Sequence, residues 1–139
     1  MTPIVLDAST TVAFLLPDEE SKLATAAVRT ALRNGLLVPA LWAYEVGNAL
    51  LVAYRRKRVT SFELDGAFAE LRTWTVRIEQ PSGFGVTASV ATRTGLTLYD
   101  ASYVCVALNS GAQLATLDRK IRDAARAFGA SLFEENPIE

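Results

Sequence analysis

Short apolar runs alternate with segments of helical length along the chain, and this alternation limits the possible folds more than any other feature. Short runs rich in β-branched residues are typical of buried strands. The pattern predicts strands at residues 3–7, 36–39, 76–81, 112–117 and 130–135. It predicts helices at residues 9–16, 19–33, 41–58, 60–74, 83–94, 100–110 and 118–128. Such alternation favours an α/β fold, with helices flanking a central, mainly parallel sheet of about four to five strands.

Size and composition agree with one folded domain. Of the 139 residues, 50% are hydrophobic and 21% are charged, so the chain can bury a full core and is not expected to be disordered. We expect a single domain at residues 1–139, because no linker or repeat interrupts the sequence. The net charge of −1 argues against a protein that coats nucleic acid through bulk charge, but it allows a local basic patch.

Two segments bear on the location of the protein. The first residues, MTPIVLDAST, lack a basic leader, and Asp7 interrupts their apolar run, so they do not match a signal peptide. Residues 36–54 are long enough to cross a bilayer, but Pro39 and Glu45 break the run. We therefore expect a turn and a buried helix at this segment, no membrane contact and a cytoplasmic protein.

Two residue types that often support catalysis are scarce. The chain has no histidine, so neither an imidazole acid–base pair nor a Ser-His-Asp arrangement can be built. Its one cysteine, Cys105, provides neither a disulfide framework nor a cysteine zinc site, and we expect it to be a buried apolar residue. Carboxylates with bound metal ions can replace imidazole in hydrolysis.

Three aspartates have equivalent places in the predicted fold. Asp7 and Asp118 each follow a predicted strand, and Asp100 opens the predicted helix at residues 100–110. The carboxyl ends of the strands and the helix N-termini after them line the ligand crevice of an open α/β sheet, so these side chains are expected to converge. Aspartate is also a favoured N-cap, and each of the three precedes helical sequence, so helix capping remains an alternative for each.

Glu45 lies well inside a predicted helix, where it cannot cap. Its neighbours at one turn are the apolar Leu41, Trp42 and Ala49, and Asn48 is the nearest polar residue. A glutamate on an apolar face needs a partner, either a lysine or arginine from elsewhere or a cation. If Glu45 joins the three aspartates, a divalent metal would neutralise the group, and all-oxygen ligation favours Mg²⁺ or Mn²⁺ over zinc.

Four stretches of the sequence resemble motifs of the PIN domain family. They are Asp7-x-Ser9 after the first strand, PALWAYEVGNAL with Glu45, LYDASYVCVAL with Asp100, and ATLDRKI with Asp118. The resemblance extends from Ile4 to Phe133, and the residues around Glu45 and the chain length are similar to the VapC toxins of bacterial toxin–antitoxin pairs. It implies a three-layer PIN-like fold.

The resemblance also implies a metal-dependent endoribonuclease that cleaves RNA phosphodiesters by metal-activated water and leaves a 5′-phosphate. It implies that Mg²⁺ or Mn²⁺ is held by Asp7, Glu45, Asp100 and Asp118, directly or through water. In this scheme Ser9 and Thr116 orient the carboxylates or the attacking water, and Asn48 hydrogen-bonds Glu45. Local capping explains Ser9 and Thr116 equally well, and Asn48 is equally plausible as an amide with an unrelated partner.

Two basic segments are candidates for RNA binding. Arg119 and Lys120 follow Asp118 directly, which suits a phosphate near the metal, whereas Arg122 and Arg126 are expected to face solvent.

The second basic segment includes Arg55 and Arg56. These residues begin a basic run at the end of a predicted helix, about ten residues or roughly 15 Å along the axis from Glu45. That distance suits a neighbouring stretch of RNA backbone. Cations at a helix C-terminus are also explained by the helix dipole alone.

A free ribonuclease would damage its own cell, and the family pairs such toxins with a small antitoxin whose tail covers the cleft, often with an arginine among the acids. We therefore expect a cognate antitoxin, and also a homodimer. Apolar residues of the early helices are candidates for these surfaces, although core packing explains most of them equally well: Phe14, Leu15, Leu16, Leu50, Leu51 and Tyr54.

Three other functions remain possible. A catalytically silent PIN-like module would bind the same ligands without turnover. The segment Asp7-Ala8-Ser9-Thr10 is similar to the nucleophile motif of aspartyl-phosphate phosphatases of the haloacid dehalogenase type, but Ser9 stands where they need a second aspartate. A receiver-like signalling domain would have a lysine after a late strand, where this chain has Asp118.

Overall fold

The computed structural model describes residues 1–80 and 83–134, and in these residues a sheet of four strands lies among seven helices. The strands are β1 (Ile4–Leu6), β2 (Leu36–Val38), β3 (Val76–Ile78) and β4 (Gln113–Ala115). The helices are α1 (Ala8–Leu15), α2 (Lys22–Asn34), α3 (Leu41–Arg55), α4 (Ser61–Thr73), α5 (Phe84–Thr94), α6 (Leu98–Ser110) and α7 (Arg119–Ala127). The predicted α/β class with a parallel sheet is confirmed.

The order of the strands creates a crevice. The sheet runs β3-β2-β1-β4, and each neighbouring pair is parallel. The chain extends the sheet from β1 through β2 to β3 and then returns to the other side of β1 to add β4. The direction of building therefore reverses between β1 and β4. Open α/β sheets bind ligands outside the carboxyl ends of their strands at such a point.

Helix α6 is central to the core, which explains why its sequence has no polar stripe. It packs against β1, β2 and β4 and also contacts α5 and α7. Residues 101–107 are all buried, and every residue of β1 is 0% exposed. A helix that has protein on all sides gains stability from apolar residues around its whole circumference.

The helix expected in this segment is α3, and it is buried along one face rather than on all sides. Its buried residues recur every three or four positions at Trp42, Val46, Leu50 and Ala53, whereas Tyr44 is 82% exposed. This spacing is that of an amphipathic helix packed on a core. No helix within residues 1–80 and 83–134 is long and apolar enough to cross a membrane.

The predicted fifth strand is wrong for the described part of residues 130–135. Leu132 makes only an isolated parallel bridge to Leu114, supported by hydrogen bonds from the Leu114 amide to Ser131 and from the Phe133 amide to Leu114. A strand requires repeated pairs along its length. Glu135 lies outside the described residues, as does Pro81 at the end of the predicted strand 76–81.

Candidate active site

Asp7 and Asp118 border the crevice between β1 and β4. Leu6, the last residue of β1, pairs with Ala115, the last residue of β4. Asp7 follows Leu6 directly, and Asp118 lies on the loop that leaves Ala115. The two aspartates therefore stand at neighbouring carboxyl ends of the sheet, where the strand order reverses.

Asp7 is held at both carboxylate oxygens. Its Oδ1 accepts hydrogen bonds from the Ser9 hydroxyl and the Thr10 amide, each at 2.9 Å, and its Oδ2 accepts one from the Thr116 hydroxyl at 2.5 Å. The bond from Thr10 makes Asp7 the N-cap of α1. Asp7 is only 2% exposed, and this burial raises its pKa although all of the hydrogen bonds act to lower it. The hydrogen bonds therefore do not fully offset the cost of burying the negative charge of Asp7.

Thr116 connects Asp7 to the loop that carries Asp118. The hydroxyl that donates to Asp7 also accepts a hydrogen bond from the Asp118 amide at 2.9 Å. Asp118 Oδ1 in turn accepts from the amides of Lys120 and Ile121, so Asp118 is the N-cap of α7. One buried threonine therefore sets the relative position of two carboxylates.

Asp100 is not a helix cap, contrary to the alternative suggested by the sequence. Helix α6 begins two residues earlier than predicted, at Leu98, and Thr97 caps it by accepting a hydrogen bond from the Asp100 amide at 3.0 Å. The Asp100 side chain is half-buried. Its pKa is raised, first by burial and then by the charges of Asp118 and Asp7, against a lowering by Thr97. The carboxylate is therefore free of a capping role.

Glu45 reaches from α3 to α6. The hydroxyl of Tyr103, which is 1% exposed, donates to Glu45 Oε1 at 2.5 Å. Burial raises the pKa of Glu45 most, the bond from Tyr103 lowers it, and the charges of Asp100 and Asp7 raise it further. Burial and the neighbouring carboxylate also raise the pKa of Tyr103 far above its ordinary value, so this phenol remains a donor.

Electrostatic effects on the pKa values of Glu45 and Asp100 connect four acids, which we call the acid group: Asp7, Glu45, Asp100 and Asp118. Glu45 responds to the charges of Asp100 and Asp7, and Asp100 responds to those of Asp118 and Asp7. The members come from the end of β1, from α3, from α6 and from the loop after β4. Tertiary structure has brought four distant chain segments to one edge of the sheet.

No basic side chain forms a salt bridge with the acid group in the part of the chain that the structure describes. The salt bridges there use Arg58, Arg77 and Arg126, whose partners are other acids. Carboxylates of a structural ion-pair network would have such partners, because unpaired charges at partly buried positions are costly. The acid group is therefore more typical of a ligand site than of a structural network.

The donor chemistry of the acid group fits a hard divalent cation. Carboxylate and hydroxyl oxygens are the ligands that Mg²⁺ and Mn²⁺ prefer. The side chains are nevertheless not gathered into a finished ligand shell, because no three His, Cys, Asp or Glu residues within 1–80 and 83–134 form a group that could hold a metal ion. The acid group therefore matches a divalent-cation site in the type and the location of its residues.

The residues expected to assist the acids have different surroundings. Ser9 and Thr116 both hydrogen-bond Asp7. Asn48 is exposed on α3, and among the side-chain hydrogen bonds of the described residues Glu45 accepts one from Tyr103 and none from Asn48.

The residues expected to bind RNA lie in two places. Arg119 and Lys120 are exposed in the first turn of α7, directly after Asp118. Arg55 and Arg56 are exposed at the C-terminal end of α3, at the far end of that helix from Trp42. The structure thus separates the basic residues into one pair beside the acid group and one pair distant from it.

Two residues of the site were missed by sequence reasoning. Tyr103 follows Asp100 by three residues and so lies on the same side of α6, and a buried tyrosine generally needs a hydrogen-bond partner. That signal was available in the sequence. Arg122 was expected to face solvent, but its guanidinium donates to the Thr116 carbonyl at 3.2 Å and ties α7 to the loop before it. Arg126, also expected in solvent, is exposed.

Comparisons with known proteins agree with this architecture. The PIN domain family model matches residues 4–127. The chain is 34% identical over 123 residues to Ribonuclease VapC3 of Pyrobaculum aerophilum. The aligned segment covers 86% of this chain and 92% of that protein. The crystal structure of PAE2754 from Pyrobaculum aerophilum is similar with a TM-score of 0.65 and 30% identity, covering 90% of this chain and 86% of that chain. The chain therefore belongs to the PIN domain family and is of the VapC type.

Proposed function

We propose that this chain is a metal-dependent endoribonuclease that acts in the cytoplasm as the toxin of a type II toxin–antitoxin pair. The observation that carries the proposal is the acid group, whose members interact electrostatically without a basic partner among the described residues. Similarity to a protein named Ribonuclease VapC3 supports RNA as the substrate.

The four carboxylates of the acid group would hold Mg²⁺ or Mn²⁺, directly or through water. Three of them, Asp7, Glu45 and Asp100, have raised pKa values, and a divalent cation would compensate their charges. When bound, the metal supplies a water of lowered pKa and offsets negative charge on the phosphodiester.

Neighbouring residues hold the acids in fixed orientations. Ser9 and Thr116 bond opposite oxygens of Asp7 and so prevent its carboxylate from rotating. Tyr103 bonds Oε1 of Glu45 and leaves Oε2 to face a ligand. Such support around metal ligands typically contributes a factor of about 10–100 in metal affinity or activity.

Positive charge beside the acids would bind the RNA backbone. Arg119 and Lys120 extend from the exposed first turn of α7, directly after Asp118, where their charges would attract a phosphate. Arg55 and Arg56 would contact phosphates farther along the strand. Together these residues compensate for a net charge that does not itself attract RNA.

A small antitoxin would control the nuclease, and the acid group would accept an arginine from its tail in place of the metal.

Fewer apolar residues than the sequence suggests are available for a surface that binds the antitoxin or a second copy of the chain. Leu16 and Leu50 are 3% and 1% exposed and belong to the core. Phe14 and Leu15 are only partly buried, and Tyr54 is 42% exposed, so these side chains remain accessible.

A catalytically silent binding module is the second candidate. Such a module would bind the same cation through the acid group without cleaving RNA. The aspartyl-phosphate alternatives have less support, because both oxygens of the buried Asp7 already accept hydrogen bonds and are poorly placed to attack a phosphate.

The test uses protein purified free of any co-expressed partner and incubated with total RNA and Mg²⁺ or Mn²⁺. We expect discrete cleavage products that carry 5′-phosphates, and we expect EDTA to abolish them. Asp100→Asn should reduce cleavage at least about 100-fold, because it removes a ligand charge from the site.

The matched control is Asp123→Asn, which removes an exposed carboxylate of α7 that is not part of the acid group. This variant should cleave RNA like the wild type. If RNA remains intact while calorimetry shows that Mg²⁺ binds, the silent-module alternative is correct. If neither cleavage nor metal binding is detected, the acid group has no metal function and the proposal is wrong.

A further inference from the structure

A small apolar pocket of about 320 Å³ lies at the N-terminal ends of α3, α5 and α6. Its lining includes Leu41, Gln80, Phe84, Leu98, Tyr99 and Ser102. Leu98 and Tyr99 directly precede Asp100 on α6, and Leu41 precedes Glu45 by one turn on α3. Four residues rise about 6 Å along a helix axis, so the lining residues of α3 and α6 lie within about one turn of Glu45 and Asp100. Leu98 and Ser102 are on a different side of α6 from Asp100, so the pocket is near these two acids without including them.

The rim of the pocket is aromatic and open to solvent. Phe84 is 79% exposed and Tyr99 is 63% exposed, although aromatic rings of this size are usually covered. Two exposed rings beside one concave, mostly apolar pocket are typical of a binding site.

Polar groups of the pocket have the chemistry to recognise a base edge. The exposed Gln80 has a side-chain amide, which supplies both donors and an acceptor. Ser102 is 4% exposed and its hydroxyl donates to the Tyr99 carbonyl at 2.5 Å, so Gln80 is the main polar group available to a ligand. A glutamine amide can pair with two positions on an adenine edge.

We propose that the pocket binds one unpaired nucleobase of the RNA, which stacks on Tyr99 and hydrogen-bonds to Gln80. This assignment rests on the proposed nuclease function, because it places the base next to the phosphodiester that the acid group would cleave. Single-stranded RNA is recognised by splaying its bases onto aromatic side chains, and stacking tolerates every base. The pocket would therefore hold the substrate in register with the acids.

The size of the pocket favours a base over a protein segment. A helix with its side chains is about 10 Å wide, whereas a nucleobase is flat and small enough for a pocket of about 320 Å³. A stable dimer buries about 800 Å² on each partner, which requires a much wider surface than this pocket. Self-association through the same rings is the competing outcome of the experiment.

The test measures RNA binding without cleavage, in the Asp100→Asn protein with Mg²⁺. Two fluorescent single-stranded RNA decamers are compared, one of adenosine and one that has the same sugar-phosphate backbone but no bases. Their charges are equal, so the ratio of the two affinities reports base contacts. Adding Tyr99→Ala should lower this ratio about tenfold, as expected for the loss of one stacking contact.

Two further variants make the result specific. Tyr99→Phe retains the ring and should retain the ratio. Phe62→Ala removes an aromatic residue of α4 that is 85% exposed and outside the pocket, and it should also leave the ratio unchanged. Since Tyr99 is mostly exposed, its truncation is not expected to unfold the protein.

An unchanged ratio in Tyr99→Ala would overturn the assignment. A second result would also overturn it: the parent protein sediments as a dimer, and Tyr99→Ala sediments as a monomer with the same affinity ratio. The exposed rings would then be covered by a second copy of the chain rather than by a base. Wild-type cleavage of total RNA reports the nuclease function separately. If the wild type cleaves RNA but Tyr99→Ala leaves the affinity ratio unchanged, only the proposal of base binding in the pocket is refuted. If the ratio depends on Tyr99 but the wild type does not cleave RNA, base binding is supported and the proposed nuclease function is refuted.

Discussion

At the scale of single residues, the contact between Tyr103 and Glu45 is the feature of the site with the clearest chemical consequence. Both groups lie in partly or fully buried surroundings, where a missing hydrogen bond is costly. Neither group has a charged partner that could replace the bond in the described residues. The phenol therefore fixes the orientation of the Glu45 carboxylate.

Tyr103→Phe is expected to weaken Mg²⁺ binding about 10–100-fold and to lower the free energy of unfolding by about 1 kcal/mol. The reason is that the bond from Tyr103 lowers the pKa of Glu45, so its loss favours the protonated carboxyl. Isothermal calorimetry and urea unfolding provide the measurements. Tyr44→Phe, at a position that is 82% exposed, is the matched control. Equal Mg²⁺ affinity in the two variants would contradict a role for this bond.

At the scale of elements, the first turn of α6 separates the capping residue, Thr97, from the candidate site residue, Asp100. Thr97 satisfies the Asp100 amide with its hydroxyl, which leaves the Asp100 carboxylate without a structural task. Local cap signals in the sequence also agree with other helix ends. Thr60 and Glu63 form a capping box on α4, and Gly95 ends α5 in the left-handed conformation at a φ of 78°. These signals succeed because caps depend on residues only a few positions apart.

Substitutions of Thr97 and Asp100 in this turn should differ in their effect on the free energy of unfolding. Thr97→Ala is expected to lower the free energy of unfolding by about 1 kcal/mol, because it leaves an amide of the helix terminus unsatisfied. Asp100→Asn should not lower it near neutral pH, since the raised pKa of Asp100 means that its charge disfavours the folded state. Urea unfolding at pH 7 without metal distinguishes the two variants. A larger loss in Asp100→Asn than in Thr97→Ala would identify Asp100 as the cap.

At the scale of the whole molecule, the fold concentrates like charges at the edge of the sheet between β1 and β4. Asp7, Glu45 and Asp100 each have a folded-state pKa above the ordinary value, which is 3.8 for aspartate and 4.5 for glutamate. Between the ordinary and the raised pKa, the folded state binds more protons than the unfolded state. The free energy of unfolding contributed by these groups is therefore fully present below the ordinary pKa and lost as pH rises through the raised one.

The metal-free protein should accordingly lose stability relative to Asp100→Asn as pH rises from about 4 to 8. We expect the difference in melting temperature between the two proteins to grow across this range in EDTA. Mg²⁺ should reverse it by stabilising the wild type more than the variant, because a ligand that binds only the folded state shifts unfolding. Differential scanning calorimetry provides the melting temperatures. A difference that is independent of pH and Mg²⁺ would show that Asp100 is not coupled to the acid group.

The amino-acid sequence by itself determined the α/β class, the order of the helices and strands, and the short set of acids from which a site can be built. Hydrophobic periodicity and capping act between residues that are close along the chain, so they can be recognised without a structure. Tertiary structure alone decided the partners of those acids. Tyr103 meets Glu45 across 58 residues, and Thr116 meets Asp7 across 109. It also decided that residues 131–133 meet β4 at one bridge and form no fifth strand, because pairing depends on where the sheet leaves room for the returning chain.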